Sequence, residues 1–215
     1  MTDIKNKNKA LGKTNSADLV KVGNSLKLTE KILNEYDKRL IETIKIGNQE
    51  WMTKSLEVEC YSNGDPIPQV KNPMEWKDLK TGAWCCYNNK IENGYKYGKI
   101  YNWHALKDER GLCPKGFRLP YEKDWFELLD YLGGQEISGS KLKKLMNLNY
   151  GGYINNQQFI GLEQESLFWA ITKAGHNADG SESTTWNFAI MKNDDGMYTF
   201  DDDEHQGMYV RCIKI

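Results

Sequence analysis

Short apolar runs alternate with polar turns over the C-terminal third of the chain. Aromatic and β-branched residues are concentrated at positions 167–172, 186–191, 197–200 and 209–215. Between the second and third runs lies Asn193-Asp194-Asp195-Gly196, whose composition is typical of a hairpin turn. The pattern predicts consecutive antiparallel strands in a terminal β-meander, and the loops of such a scaffold commonly carry binding residues.

A helical spacing of apolar residues precedes the meander. Pro120 favours an extended Leu119 and permits a helix to begin just after it. The apolar face of this predicted helix consists of Trp125, Leu128, Leu129 and Leu132. Gly133-Gly134 predicts its end. A second short helix is predicted over residues 140–146, and Gly151-Gly152-Tyr153 opens the meander.

The first strands are predicted over residues 41–52, where the apolar period is two and Gly47-Asn48 supplies a hairpin turn. Residues 57–98 are rich in turn signals, yet they contain large aromatic rings. Among these rings are Trp76, Trp84, Tyr87, Tyr95 and Tyr97. We expect this segment to be compact, because buried rings offset the missing strand pairing. Residues 97–106 predict a strand that enters a short helix.

The N-terminal region is predicted to contain a tail and a helix. Residues 1–16 are rich in Lys and Asn and indicate a flexible basic tail. Residues 17–40 carry apolar side chains at three- and four-residue spacings, which is typical of an amphipathic helix. These positions are Leu19, Val22, Leu26, Thr29, Leu33 and Tyr36. Such a helix either lies on the chain's own core or docks on another protein or another copy, which would make a homo-oligomer.

The composition bounds the class of protein. The 215 residues are 39% hydrophobic and 12% aromatic, which suits one domain with an appendage. The formal net charge of -1 gives no general attraction to nucleic acid or membrane surfaces. No apolar run approaches the roughly 18 residues of a membrane helix, so no span is predicted. The charged N-terminus is not followed by an apolar segment, which favours the cytoplasm by default or a leader that has been lost.

The cysteines permit two interpretations. The five are Cys60, Cys85, Cys86, Cys113 and Cys212. An odd number with this spread does not indicate a disulfide framework, so we expect most of them to be small buried apolar residues. A bridge between Cys113 and Cys212 is the alternative for an exported protein.

No residue spacing indicates a catalytic or metal site. The isolated histidines are His104, His176 and His205. Neither a zinc motif nor a nucleophile motif occurs. Residues 177–182 look like part of a calcium loop, but aligning Gly180 with its sixth position puts Trp186 where a bidentate Glu is needed. We therefore predict no catalytic residue, no metal and no cofactor. The acidic run at 201–204 is interpreted as a solvated turn, with weak cation binding as the alternative.

Seven sequence words in order resemble one bacterial family. They are Ile46-Gly47-Asn48-Gln49-Glu50-Trp51-Met52, Tyr97-Gly98-Lys99-Ile100-Tyr101-Asn102-Trp103, Cys113-Pro114-Lys115-Gly116-Phe117-Arg118-Leu119-Pro120 followed by Trp125, Gly139-Ser140-Lys141-Leu142-Lys143, Gly151-Gly152-Tyr153, Phe168-Trp169 and Tyr209-Val210-Arg211-Cys212. Together they resemble the Fibrobacter succinogenes major paralogous domain family, also called FISUMP. The resemblance implies an α+β domain over residues 41–215 with a C-type lectin-like fold. In that fold two helices flank a small twisted antiparallel sheet with long packed loops, and the final strand returns beside the first.

The same resemblance implies a function in recognition. The family is common in Bacteroidetes, mostly on exported proteins, and some members are variable proteins of diversity-generating retroelements, which alter the terminal meander. It implies a non-catalytic ligand-binding protein whose partner is a protein or a cell-surface glycan. The alternatives are an oligomerising interaction module and a divergent enzyme of the formylglycine-generating type, a related branch of the fold. That enzyme's oxidation chemistry needs a reactive cysteine pair late in the chain, where only Cys212 lies.

Alternation along the second meander strand predicts the recognition face. If Phe188 and Ile190 point into the core, then Asn187, Ala189 and Met191 point outward. The residues expected to form one exposed face are Trp186, Asn187, Lys192, Asn193, Asp195, Tyr198, Thr199, Asp201 and Asp203. Aromatic rings with adaptable polar side chains are typical of recognition surfaces. The sequence predicts that the Trp169 ring lies in the core. For Trp186, it does not decide between the core and the surface.

Overall fold

The computed structural model describes the backbone of residues 20–22, 25–27, 31–33, 40–146, 148–176 and 182–215. Side chains are described for residues 41–146, 148–172, 185–202 and 204–215. The predicted tail at 1–16 lies outside the described residues.

Four α-helices lie in the described chain. They are α1 (Ile91–Tyr97), α2 (Trp103–Leu106), α3 (Glu122–Tyr131) and α4 (Gln135–Met146), and two 3-10 helices cover Pro73–Asp78 and Tyr87–Asn89. The predicted helix after Pro120 is confirmed as α3, whose predicted apolar face is buried. Gly133 and Gly134 follow it with φ of 97° and 100°, a conformation that suits glycine and ends the helix. None of these helices has the length and apolar composition to cross a membrane.

The strands of the described chain form three sheets. The strands are β1 (Val20–Val22), β2 (Ser25–Lys27), β3 (Lys31–Leu33), β4 (Leu40–Ile46), β5 (Gln49–Met52), β6 (Trp84–Cys85), β7 (Ile100–Asn102), β8 (Phe117–Arg118), β9 (Gly151–Asn155), β10 (Gln158–Leu162), β11 (Glu165–His176), β12 (Glu182–Met191), β13 (Met197–Asp203), β14 (Gly207–Met208) and β15 (Ile213–Lys214). β1 and β2 form a pair, and five strands follow the order β3-β4-β5-β15-β8. The largest sheet has the order β13-β12-β11-β9-β14-β7-β6, with β10 paired to β9. The named strands pair antiparallel except for β11 with β9, and isolated parallel bridges join Gln69 to Trp84 and Phe168 to Tyr209. Together with the helices, these sheets make a mixed α and β fold with few helices.

The predicted amphipathic helix at 17–40 is wrong for the described part of that range, which lies in strands. Val22 lies opposite Ser25, and the Gly23-Asn24 dipeptide between them in the sequence is typical of a two-residue hairpin loop. Glycine also disfavours a helix interior by about 1 kcal/mol relative to alanine, whereas Val and Ile favour strands. The oligomer expected from this helix therefore loses its structural basis.

The last strand of the domain lies beside its first hairpin. β4 and β5 form the predicted hairpin, with Ile44 opposite Trp51. At its turn Gly47 adopts a φ of 61°, which suits glycine. β15 pairs with β5, the second strand of this hairpin, through Ile213 and Trp51, so the final strand returns beside the first hairpin but not directly beside its first strand.

Two clusters of buried side chains fill the interior. One contains Trp51, Trp125, Phe168 and Phe188, together with the buried leucines of α3 and α4. The other contains Trp84, Trp103, Trp169 and Ala189. Phe168 and Trp169 are neighbours in β11 and therefore point to opposite faces of the sheet. Central strands β11 and β12 are consequently covered on both faces, and the prediction that Trp169 is a core ring is confirmed.

The irregular segment at 57–98 is packed as predicted. Trp76, Trp84, Tyr87 and Tyr97 are buried, whereas Tyr95 is 68% exposed. The indole groups of Trp76 and Trp84 donate hydrogen bonds to the carbonyl oxygens of Val70 and Ile67, at 3.1 and 2.9 Å. These bonds and the buried rings stabilise a region with little strand pairing.

Candidate functional site

The long hairpin of β12 and β13 carries most of the predicted site residues. Trp186 lies opposite Asp201, and Phe188 lies opposite Thr199. Opposite residues of an antiparallel pair share a face of the sheet. Trp186, Thr199 and Asp201 therefore lie on the face that also carries Phe188. The hairpin turn predicted at residues 193–196 is confirmed, since β12 ends at Met191 and β13 begins at Met197.

Asn187 does not belong to an exposed face. Its side chain is fully buried, and its Nδ2 donates a hydrogen bond of 2.8 Å to Oδ2 of Asp202. Ala189, on the same face, is buried as well, so the prediction that both residues point to solvent is wrong. Phe188 and Ile190 do point into the core, as predicted. Alternation identifies the two faces of a strand. Here the second buried cluster covers the face of Asn187 and Ala189, which was expected to be exposed to solvent.

The tip of the hairpin is exposed and anchored. Lys192, Asn193 and Asp195 are exposed. The backbone N–H of Ser140 in α4 donates a hydrogen bond of 2.8 Å to the carbonyl oxygen of Asp195. Nζ of Lys143, one turn further along α4, donates to the carbonyl oxygen of Lys192 at 3.1 Å. The helix therefore holds the backbone of the tip while the side chains remain free to contact solvent.

A carboxylate fixes the turn from within. Oδ1 of Asp194 accepts hydrogen bonds from the backbone N–H of Gly196 at 2.7 Å and from the hydroxyl of Tyr198 at 2.8 Å. The bond from Gly196, followed by the bond from Tyr198, lowers the pKa of Asp194. The same interaction with Asp194 raises the pKa of Tyr198. The half-buried Tyr198 is thus held as a neutral hydroxyl beside the exposed tip.

An aromatic pair extends the site along the strand. The ring of Phe126 in α3 lies edge-on to that of Trp186, with centroids 5.9 Å apart and an angle of 81°. Phe126 is 40% exposed and also packs against Phe188 at 5.6 Å. Trp186 is half-buried, which resolves its role as a ring shared between core and surface. Sequence reasoning missed Phe126, although an aromatic residue on the polar side of a predicted helix was a usable signal.

The acidic end of β13 is only partly available. Asp201 is exposed, but both carboxylate oxygens of Asp202 accept hydrogen bonds, Oδ2 from Asn187 and Oδ1 from Nε2 of Gln206 at 2.8 Å. The side chain of Asp203 lies outside the described residues. Within the described residues, no three His, Cys, Asp or Glu side chains are grouped so that they could hold a metal ion.

The structure divides the predicted residues into two groups along one hairpin. The tip group is Lys192, Asn193, Asp195 and Tyr198, and the strand group is Trp186, Thr199 and Asp201 with Phe126 added. Tyr198 lies opposite Ala189, so it points to the other face of the hairpin from Thr199, and the prediction of a single exposed face is wrong. We refer to these eight residues, which span both faces, as the hairpin surface. Asn187 is excluded from it.

The cysteines combine both interpretations of the sequence. Cys113 and Cys212 form a disulfide, with Cα atoms 6.2 Å apart. Cys85 and Cys86 are buried free thiols, and Cys60 is a half-buried one. Burial raises the pKa of Cys85 well above its ordinary value and also raises that of Cys86. The two adjacent thiols are therefore poor nucleophiles near neutral pH.

These features define a mixed α and β domain in which the final strand β15 pairs with β5. The anchored hairpin of β12 and β13 presents polar and aromatic side chains. The family model of the Fibrobacter succinogenes major domain matches residues 44–214. The chain belongs to this family, as its sequence words predicted. Neither the curated proteins nor the solved structures include a match to the chain.

Proposed function

We propose that this chain is a non-catalytic ligand-binding protein that presents the hairpin surface to a protein or a cell-surface glycan. The observation that carries the proposal is the exposed tip, whose backbone α4 holds at the carbonyl groups of Lys192 and Asp195. A loop that is already fixed loses little conformational entropy on binding. Exposed side chains on a rigid scaffold are the usual form of a recognition site.

The same proposal includes a C-type lectin-like fold and diversification by a retroelement. The pairing of β15 with β5 and the two helices α3 and α4 support the fold. The tip side chains at 192, 193 and 195 support diversification, because their exposure leaves them free to vary without disturbing the buried clusters. Comparison of this gene in close strains tests the idea: substitutions should concentrate at the hairpin surface, and identical C-terminal regions would refute it.

The proposal also places the protein in an oxidising compartment and without catalytic activity. The disulfide of Cys113 and Cys212 supports export, because such bonds persist mainly outside the cytoplasm. It also occupies the late cysteine that an oxidation site of the formylglycine-generating type would need. The raised pKa of the buried Cys85 supports the same conclusion.

Arrays of glycans and of extracellular proteins provide the direct test of ligand binding. A variant with Lys192→Ala, Asn193→Ala and Asp195→Ala should lose about tenfold or more in affinity for any ligand found, as is usual when central contacts are removed. Its unfolding temperature should not change, since these side chains are exposed. The matched control is Lys77→Ala with Lys90→Ala, two exposed positions elsewhere in the chain. Full binding by the tip variant and by a Trp186→Ala variant would refute the hairpin surface as the site.

A further inference from the structure

β13, the outer strand of the largest sheet, has an unpaired edge among the described residues. Its other edge pairs with β12. In an edge strand, the backbone N–H and C=O groups of alternate residues point away from the sheet. The described backbone hydrogen bonds include none to this edge, and α4 packs against the turn before the strand, where Gly139 meets Gly196. The part of β13 beyond Tyr198 therefore presents backbone donors and acceptors to solvent.

Phe200 lies beside this edge and is 43% exposed. It belongs to neither buried cluster, although it lies opposite the buried Asn187. Tyr198, two residues earlier in the strand, shares its face and is half-buried. An added strand would bring its side chains next to those of β13, because neighbouring strands lie about 4.8 Å apart. The two rings therefore offer an apolar contact to a strand that pairs with the edge.

The opposite face of β13 is acidic. Asp201 is exposed, and none of the described lysine or arginine side chains forms an ion pair with it. It is also the first residue of the acidic run at 201–204. Opposite charges on neighbouring strands stabilise their pairing, and like charges destabilise it. This face therefore favours Lys or Arg in an added strand and disfavours a second copy of β13.

The two faces together indicate a partner rather than protection of the edge alone. Charged side chains on an edge strand commonly prevent pairing between copies of a protein. Asp201 would serve that purpose by itself, but the exposed Phe200 beside it opposes it, because apolar side chains on an edge promote association. Alternate side chains of a strand point to opposite faces, so this edge selects a strand in which apolar and basic residues alternate.

We propose that the edge of β13 binds an extended segment of a partner protein in which apolar residues alternate with Lys or Arg. The segment pairs with the outward backbone groups of β13 as an additional strand. Its apolar side chains contact Tyr198 and Phe200, and its basic side chains face Asp201. Because Tyr198 and Asp201 belong to the hairpin surface, this mode of binding rests on the proposed function and makes the partner of that surface a protein rather than a glycan.

Fluorescence anisotropy of the full chain with a short labelled peptide in which Lys and Val alternate tests the proposal. The peptide should bind saturably. The same peptide with every backbone nitrogen methylated keeps its charge but cannot donate to the strand, so it should bind at least about tenfold more weakly. A peptide with Glu in place of Lys should also lose at least about tenfold. Absence of saturable binding, or equal binding of either control peptide, would overturn the proposal.

Two substitutions locate the peptide on the edge. Phe200→Ala and Asp201→Lys should each weaken binding by about three- to tenfold, because they remove the apolar contact and reverse the charge. Both side chains are exposed, so the unfolding temperature should stay close to that of the wild type. The matched controls are Tyr95→Ala and Glu92→Lys, exposed positions of α1 that should leave the affinity unchanged. Unchanged affinity in both edge variants would overturn the assignment.

Hydrogen exchange followed by NMR locates the pairing on the backbone. The outward amide hydrogens of β13 should exchange at least about tenfold more slowly when the peptide is saturating, because they become hydrogen-bonded. Amide hydrogens of the hairpin tip at 192–195 should exchange at an unchanged rate. Absence of protection along β13 in the bound state would overturn the proposal.

The tip variant, Lys192→Ala with Asn193→Ala and Asp195→Ala, separates the added strand from the proposed function. It leaves the edge of β13 intact, so its peptide affinity should stay within about twofold of the wild type. An array ligand that depends on the tip and not on Phe200 or Asp201 would overturn the added strand alone. Dimers of the free chain that dissociate on Phe200→Ala but not on addition of the peptide would identify a second copy as the occupant and would also overturn it.

Discussion

Removal of the disulfide between Cys113 and Cys212 should lower the free energy of unfolding by several kcal/mol. The bridge joins residues with a sequence separation of 99. A cross-link over about 100 residues removes roughly 4.7 kcal/mol of entropy from the unfolded chain in the loop-closure model, and measured values are more often about 2–4 kcal/mol. Both cysteines are buried, so their replacement also loses packing. We expect a Cys113→Ala and Cys212→Ala double variant to lose about 3–5 kcal/mol.

Guanidinium unfolding followed by tryptophan fluorescence measures this loss. Because the bridge acts mainly on the unfolded chain, the double variant should also show a larger denaturant slope, as more surface becomes exposed on unfolding. The control is Cys60→Ala, a half-buried free thiol, whose effect should stay within about 1 kcal/mol. A loss below about 1 kcal/mol with an unchanged slope would refute the reasoning.

Three further substitutions test separate contacts. Asp124 accepts hydrogen bonds of 2.6 and 2.8 Å from Arg118. Burial raises the pKa of Asp124, but the bonds from Arg118 and from the backbone of Tyr121 outweigh burial, so the pKa lies below its ordinary value. Asp124→Asn should therefore lower the free energy of unfolding by about 1–3 kcal/mol at neutral pH. In urea unfolding, this difference between wild type and variant should be complete above about pH 4 and should disappear as the pH falls through the lowered pKa of folded Asp124. A difference in stability that persists in acid would contradict this. Gly139→Ala should cost about 1–3 kcal/mol in thermal unfolding, because the added Cβ would lie 1.9 Å from the carbonyl oxygen of Gly196, and wild-type stability would show that the helix does not press on the hairpin turn. Tyr209→Phe should lower the urea midpoint by the equivalent of about 1–2 kcal/mol, since the buried hydroxyl donates to a backbone carbonyl of β9 at 2.9 Å, and an unchanged midpoint would contradict the importance of that bond.

Elements with strong local signals could be predicted from the sequence. Pro120 and Gly133-Gly134 mark the ends of α3, and Gly47-Asn48 marks the first hairpin, because turn and cap geometry depends on neighbouring residues alone. The region at 17–40 has weaker signals, since three-residue apolar spacing also arises where short strands and turns follow each other. α4 begins at Gln135 rather than at residue 140 as predicted. Its Gly139 packs directly against the backbone of Gly196, a distant contact that overrides local helix propensity.

In the candidate site, too, local features could be predicted and those set by tertiary contacts could not. Exposure of Lys192, Asn193 and Asp195 follows from their place in a tight turn, so the sequence was sufficient for the tip. Burial of Asn187 depends on aromatic residues far away in the chain, which pack on the second face of β12. Recruitment of Phe126 depends on where α3 crosses that strand. Contacts of this kind are set by tertiary packing, and alternation along one strand carries no information about them.

The final strand β15 pairs with β5 of the first hairpin, so only β5 separates the first strand β4 from the last strand of the domain. A domain whose two ends lie close together adds little length to the polypeptide that carries it. It can be grafted into a surface loop of an unrelated host, or repeated along one chain, without stretching the connecting segments. Either arrangement would leave the anchored hairpin intact, because its supports from α3 and α4 belong to the same unit.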